Sequence, residues 1–142
     1  MSVKQYDPAQ VDVIFAGFPL SGFQEDSIIE VEFDDDHYEI VKGVDGDVSR
    51  SRRVAKTATV TVKLMNTSRS NADLTAVYLL GTPGSGSADV APLLIRDRNG
   101  VSLFATDTAW VNKPPGITHG GKANARDWKL TVVNPKWIEG GV

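Results

Sequence analysis

Apolar and polar residues alternate with period two along most of this chain, in short runs separated by turn residues. That is the pattern of strands that bury one face and wet the other. Val11-Asp12-Val13-Ile14-Phe15 predicts a first strand, and Ala16-Gly17-Phe18-Pro19-Leu20 a tight turn after it. From Ser27 to Asp34 the alternation is clean: Ile29, Val31 and Phe33 fall on one face, and Glu30, Glu32 and Asp34 on the other. A corner at Asp34-Asp35-Asp36 leads into a strand from His37 to Lys42. Between Lys56 and Leu64, Ala58, Val60, Val62 and Leu64 oppose Thr57, Thr59, Thr61 and Lys63. Pro92–Asp97 and Val101–Thr106 flank Arg98-Asn99-Gly100, where the Asn-Gly pair favours the positive φ angles of a hairpin turn. Thr108–Lys113, Asp127–Val133 and a short run at Pro135–Ile138 complete the strands.

One segment departs from period two. Ser70-Asn71-Ala72-Asp73 has the form of a capping box, and Leu74, Val77, Tyr78 and Leu80 follow near helical spacing until Gly81 and Pro83. This predicts one amphipathic helix of about three turns, followed by the loop 82–88. Two further loops stand out. Gly43–Ala55 is too polar to pack and longer than a hairpin needs, a length found in functional or disordered loops. Pro114–Asn124 is rich in Gly and Pro. With no repeat and no linker, the expectation is a single domain over residues 1–142. Its fold class is mainly β: two packed antiparallel sheets, as a sandwich or partly closed barrel, with one short helix at about 70–80.

The chain has 142 residues, 41% hydrophobic, with no cysteine and a formal net charge of -3. That length suits one domain with a real core. Without cysteine there is no disulfide framework, thiol chemistry or Cys-based zinc site. No run approaches a membrane span, and the start lacks the charged-then-apolar order of a signal peptide. The expected setting is intracellular and soluble, or a particle assembled there. The small net charge hides a segregation. Residues 25–47 hold ten acids and one base, Lys42, while residues 48–69 hold six bases and no acid. Opposed blocks of this kind suit surfaces that meet one another.

Catalytic patterns do not emerge. His37 and His119 lack the HExxH spacing, and Asp45-Gly46-Asp47 lacks the ligand series of an EF-hand. Gly84-Ser85-Gly86-Ser87 and Gly120-Gly121-Lys122 lack the spacing and helix of a phosphate loop. No enzyme, cofactor or metal is expected. Arg50, Arg52 and Arg53 invite a nucleic-acid reading, but no aromatic residues interleave with them and the neighbouring acidic block repels a duplex. Pairing with carboxylates of another copy fits better. Trp110, Trp128 and Trp137 sit among apolar strand residues, which favours core or interface packing over a sugar-binding face.

Tyr6-Asp7-Pro8, the run Lys42–Ser51, the run Leu64–Asn71, Lys113-Pro114-Pro115-Gly116 and Ala125-Arg126-Asp127-Trp128 carry an end-to-end resemblance. The sequence resembles the small tail tube proteins of contractile-tailed bacteriophages, which are similar in fold to type VI secretion tube proteins. The resemblance implies a virion structural protein, made in the host cytoplasm and placed in the tail. Six subunits would close a ring with a continuous inner β-barrel, and rings would stack around the tape-measure protein. DNA would pass through the lumen without specific binding. The implied partners are further copies, the sheath, the tape measure, the baseplate hub and the tail terminator. The loop 43–55, with Asp45, Asp47, Arg50, Arg52 and Arg53, would reach neighbouring subunits and the next ring. Glu30, Glu32, Asp34, Thr57, Thr59 and Thr61 are candidates for the lumen face. The terminal segments 6–8 and 135–142 would contact rings or sheath. The alternatives are a type VI tube component and a monomeric β-sandwich binding glycan or peptide through Trp110 or Trp137.

Overall fold

The strictest alternation in the sequence becomes the strand on which the fold is built. In the computed structural model, which describes residues 5, 8–23, 29–84, 86–121 and 124–140, Ala58, Val60, Val62 and Leu64 are all completely buried. Burying each of the two valines and the leucine contributes roughly 1.5–3 kcal/mol, and the Ala58 methyl less. Tyr6, Asp7, Ser27, Ile28, Ser85, Lys122, Gly141 and Val142, which figure in the readings above, lie outside the described residues.

In chain order the strands are β1 (Val11–Phe15), β2 (Phe18–Pro19), β3 (Ile29–Phe33), β4 (Tyr38–Lys42), β5 (Val48–Arg52), β6 (Thr57–Met65), β7 (Ala91–Asp97), β8 (Leu103–Lys113), β9 (Ala125–Val133) and β10 (Lys136–Ile138). The helix α1 spans Ser70–Leu79. One antiparallel sheet runs β2-β1-β7-β8-β9-β6-β3, with β10 also on β8, and does not close into a barrel. Its two halves face each other across one core, in which Val13 and Phe15 of β1 and Leu93 of β7 join Val60 of β6 and Leu130 of β9. The result is an open sandwich, as the pattern predicts. β4 and β5 form a separate two-stranded ribbon.

The sheet turns from one layer into the other along β8. The residues Val101–Thr106 and Thr108–Lys113, read above as two strands, form one strand with a bulge. Leu93 pairs with Thr106 but Ala91 with Ala109, so β8 carries one extra residue there. Thr106 is buried, and its Oγ1 donates to the Val133 carbonyl (2.8 Å) while accepting from the Thr108 N–H (3.1 Å). The side chain thus satisfies backbone groups that the bulge removes from the ladder. At the matching point on the neighbouring strand, Asn134 takes φ 48 and separates β9 from β10.

Local chemistry differs from expectation at four places. The turn after β1 forms with Ala16 and Gly17 both at positive φ, but Asn99-Gly100 does not. There the Asp97 carboxylate accepts from the Asn99 backbone N–H at 2.9 Å, which builds a longer loop in place of the two-residue turn. The capping box at α1 does not form either. Ser70 is buried and its Oγ accepts from the Ser21 N–H at 2.9 Å, so tertiary structure has taken the oxygen the cap would have used. α1 buries Leu74 and Val77 as predicted but leaves Tyr78, Leu79 and Leu80 exposed at its end. Finally, the stretch 43–55 is not a loop throughout: β5 pairs with β4 along its whole length. Its period-two order, Val48, Arg50 and Arg52 against Ser49 and Ser51, lacks an apolar face and so carries no strand signal against a polar background.

Candidate functional site

Register decides which side chains share a surface. Glu30 lies opposite Thr61 and Glu32 opposite Thr59, so the acids of β3 and the threonines of β6 stand on one face, turned away from the core. Asp34 joins them from the end of β3. Its Oδ2 accepts from the Thr57 hydroxyl (2.8 Å) and its Oδ1 from the Thr59 hydroxyl (2.9 Å). All six residues singled out from the sequence are therefore brought together.

The same face carries more than the sequence reading assigned to it. Thr59 pairs with Thr131 and Thr61 with Lys129 on β9, and Thr131 pairs in turn with Trp110 on β8. Lys63 forms an ion pair with Glu30 at 3.1 Å. Charge thus runs across the four strands β3-β6-β9-β8. Acid lies at the β3 edge, and Lys129 and Lys113 lie opposite each other at the far side. The alternating order Asp127, Lys129, Thr131 was legible in the sequence; its place beside β6 was not.

Both sides of this four-stranded face are open. Among the described residues β3 pairs only with β6. On the far side, β7 begins at Ala91 opposite Ala109, so among the described residues no strand covers Trp110–Lys113. Unpaired strand edges of this kind template pairing with another chain. The core side of β3 also overhangs the open sandwich. Val31 and Phe33 are exposed, and with Trp137 and Ile138 they line an apolar cleft of about 210 Å³. The rings of Phe33 and Trp137 meet at a tilt, with centroids 5.1 Å apart.

The ribbon β4–β5 stands away from the core. Tyr38 pairs with Arg52 and Ile40 with Arg50, so Tyr38, Arg50 and Arg52 share one face. The Arg50 guanidinium lies 4.3 Å from the Tyr38 ring centroid, and Arg52 donates to the Tyr38 hydroxyl at 3.2 Å. Arg53 follows β5, where its N–H donates to the His37 carbonyl, and is exposed. Asp45 and Asp47 sit at the far tip, in a turn that needs Gly46 at φ +93. The ribbon residues the sequence named are therefore split between a basic stem and an acidic tip. His37, though exposed, titrates below the ordinary histidine value; contact desolvation comes first, then the charges of Lys56, Arg52 and Arg50. Of the tryptophans, Trp128 is 3% exposed, Trp137 is 52% exposed and Trp110 is half-buried on the polar face. Among the described residues no cluster of His, Asp and Glu stands close enough to hold a metal.

Comparisons with known proteins agree with this architecture. Residues 19–139 match the family described as the bacteriophage PhiTE tail tube protein. Structural protein ORF10 of Pseudomonas phage KPP10 is 30% identical, over 96% of this chain and 82% of its own length. Among solved structures, the sheath/tube terminator of the extracellular contractile injection system PVC superposes with a TM-score of 0.57 at 9% identity, covering 97% of this chain and 100% of that one. A chain of the PVC sheath-tube complex gives 0.56 at 7% identity over 94% and 90%, and the anti-feeding prophage tube-terminating cap gives 0.54 at 10% over 97% and 95%.

Proposed function

The chain belongs to the bacteriophage PhiTE tail tube protein family and is a structural protein of the phage tail, and from that premise we propose how it builds the tube. Six copies close a ring through the open edges of the four-stranded face, β3 of one copy beside the free half of β8 of the next. Rings stack head to tail, the ribbon reaching from each copy to its neighbours. The observation that carries this reading is the four-stranded face itself. It has one polar side, two edges unpaired among the described residues, acid at one edge and lysine at the other. Edges of opposite charge favour a heterologous, closing contact, since each copy offers both halves of it.

In the ring the polar faces join into the lumen wall. Short threonine hydroxyls, two of them already bonded to Asp34, offer little to which a passing polyanion can hold. Glu30, Glu32 and Asp34 repel phosphate. The tape measure occupies the lumen before DNA does, the sheath covers the outer layer, and the tube ends on the baseplate hub and the tail terminator. The role is assembly in the host cytoplasm and conduction, without catalysis or cofactor. A monomeric module binding glycan or peptide would use Trp110 or Trp137. Trp137 lies against Phe33 at 5.1 Å in the apolar cleft and Trp110 is half-buried on the four-stranded face, places that suit contacts between copies equally well.

Electron microscopy of the purified chain tests the proposal. Stacked rings of uniform diameter are expected as concentration rises. A species that stays monomeric across salt and concentration would refute it.

A further inference from the structure

Arg126, the second residue of β9, lies on the core side opposite Leu64 and is only 8% exposed. Its guanidinium donates to the Thr118 carbonyl at 2.8 Å and to the Ala125 carbonyl at 3.3 Å. Among the described residues the ion pairs are Lys63–Glu30 and Arg98–Asp12, and no carboxylate meets Arg126. Carbonyl oxygens satisfy donors but do not neutralise charge, and a buried cation is ordinarily paired with an anion. Arg126 also lines an open cavity of about 410 Å³ between the end of α1 and the loop that follows β8. Its apolar walls include Tyr78 and Leu79 from α1, Pro114 and Ile117 from the loop, and Trp128, with Thr75 and His119 among the polar lining. Asn66, another residue of the lining, has its Oδ1 buried without a hydrogen-bond partner. The site therefore suits an apolar group and a carboxylate together.

The tip of the ribbon offers that combination. Val44 is fully exposed and Val48 is 65% exposed, with Asp45 and Asp47 between them and no ion pair to either acid among the described residues. A two-stranded ribbon is marginal on its own in water, and this one presents apolar side chains at its exposed tip. β4 and β5 extend it by about 17 Å, enough to cross to another copy.

We infer that this cavity receives the tip of the ribbon of a second copy, with a Val44 side chain in the apolar part and a tip carboxylate against Arg126. The inference rests on the proposed tube, in which copies meet head to tail, and it names both partners of one contact. Because tip and cavity are different surfaces, each copy gives one and receives one, so the contact propagates along a stack.

The chain has no cysteine, so a designed pair reports the contact directly. In assembled tubes, Val44→Cys with Ile117→Cys is expected to give a ladder of covalent multimers on oxidation, and Val44→Cys with Val101→Cys none. Arg126→Gln is expected to raise the assembly concentration roughly tenfold or more, as for loss of a charged hydrogen bond, while Arg126→Lys retains assembly. Thermal melts of both variants separate loss of contact from loss of fold. Intact tubes of the Val44→Cys, Ile117→Cys variant that do not cross-link on oxidation, or a folded Arg126→Gln chain that assembles like wild type, would overturn this contact and leave the tube standing. A wild-type chain that never stacks would remove both.

Discussion

Replacing Trp128 by phenylalanine tests whether the core and its hydrogen bonds are as described, and Trp137→Phe supplies the matched control. Trp128 is 3% exposed, and its indole N–H donates to Asn71 Oδ1 at 2.9 Å. Asn71 is held in turn by its own amide, which donates to the Met65 carbonyl at 2.9 Å and the Ser68 carbonyl at 3.1 Å. Phenylalanine removes the donor, which costs about 1 kcal/mol net, and leaves the asparagine oxygen seeking another partner. The smaller ring gives up roughly two buried carbons, about 1.5 kcal/mol more. The adjoining cavity admits water to Asn71, which holds the total to about 2–3 kcal/mol. For a chain of this size each kcal/mol moves the melting point by about 4 °C, so a drop of about 10 °C is expected. Trp137 is 52% exposed, and its replacement is expected to cost about 0.5 kcal/mol or less. Urea unfolding followed by far-UV circular dichroism measures both. Equal losses from the two substitutions would refute the assignment of Trp128 to the core.

Arg50, Arg52 and Arg53 changed together to Glu are expected to leave the chain folded and block stacking; normal tubes from that variant would remove the ribbon from the assembly. Thr106→Val strands the Val133 carbonyl and the Thr108 N–H, at a cost of about 1–3 kcal/mol, whereas Thr106→Ser keeps both bonds and most of the stability. Equal melting points for the two would show that the corner is held in another way. His37 binds its proton less readily in the folded chain, so the stability it contributes is complete above the unfolded value of 6.5 and is lost as pH falls towards the lowered folded value. An NMR titration is expected to place His37 below a free histidine and to raise it when Arg50 and Arg52 become serine; a value at or above the free one would contradict the electrostatics described. Glu32→Lys with Thr61→Lys is expected to permit assembly yet lower the infectivity of each assembled particle, and unchanged infectivity would argue against a lumen position for that face.

Strand and helix positions were readable where alternation was strict, because a period of two over Thr57–Met65 leaves only one face to bury. Reading stopped where a tertiary partner competed for a local group. Ser70 spends its hydroxyl on Ser21 and so does not cap its helix; the Asp97 carboxylate overrides the Asn-Gly turn; Val48–Arg52 becomes a strand by pairing with β4 without burying a face. The candidate face was half legible. Glu30, Glu32 and Asp34 could be grouped with one another, and Thr57, Thr59 and Thr61 with one another, but cross-strand register is a property of the sheet.

By itself the sequence determined the fold class, the amphipathic strands and the separation of acidic from basic blocks, since these depend on period and composition within single segments. Only the tertiary structure decided which blocks meet. It set the acids beside the threonines and placed Lys129 and Lys113 on the far side of the same face. It also buried Arg126 without a counter-charge beside a cavity and carried Asp45 and Asp47 out to an exposed tip. Those placements follow from hydrogen-bonded register and from the bulge in β8, which couple residues far apart in the chain and leave no mark within any one segment.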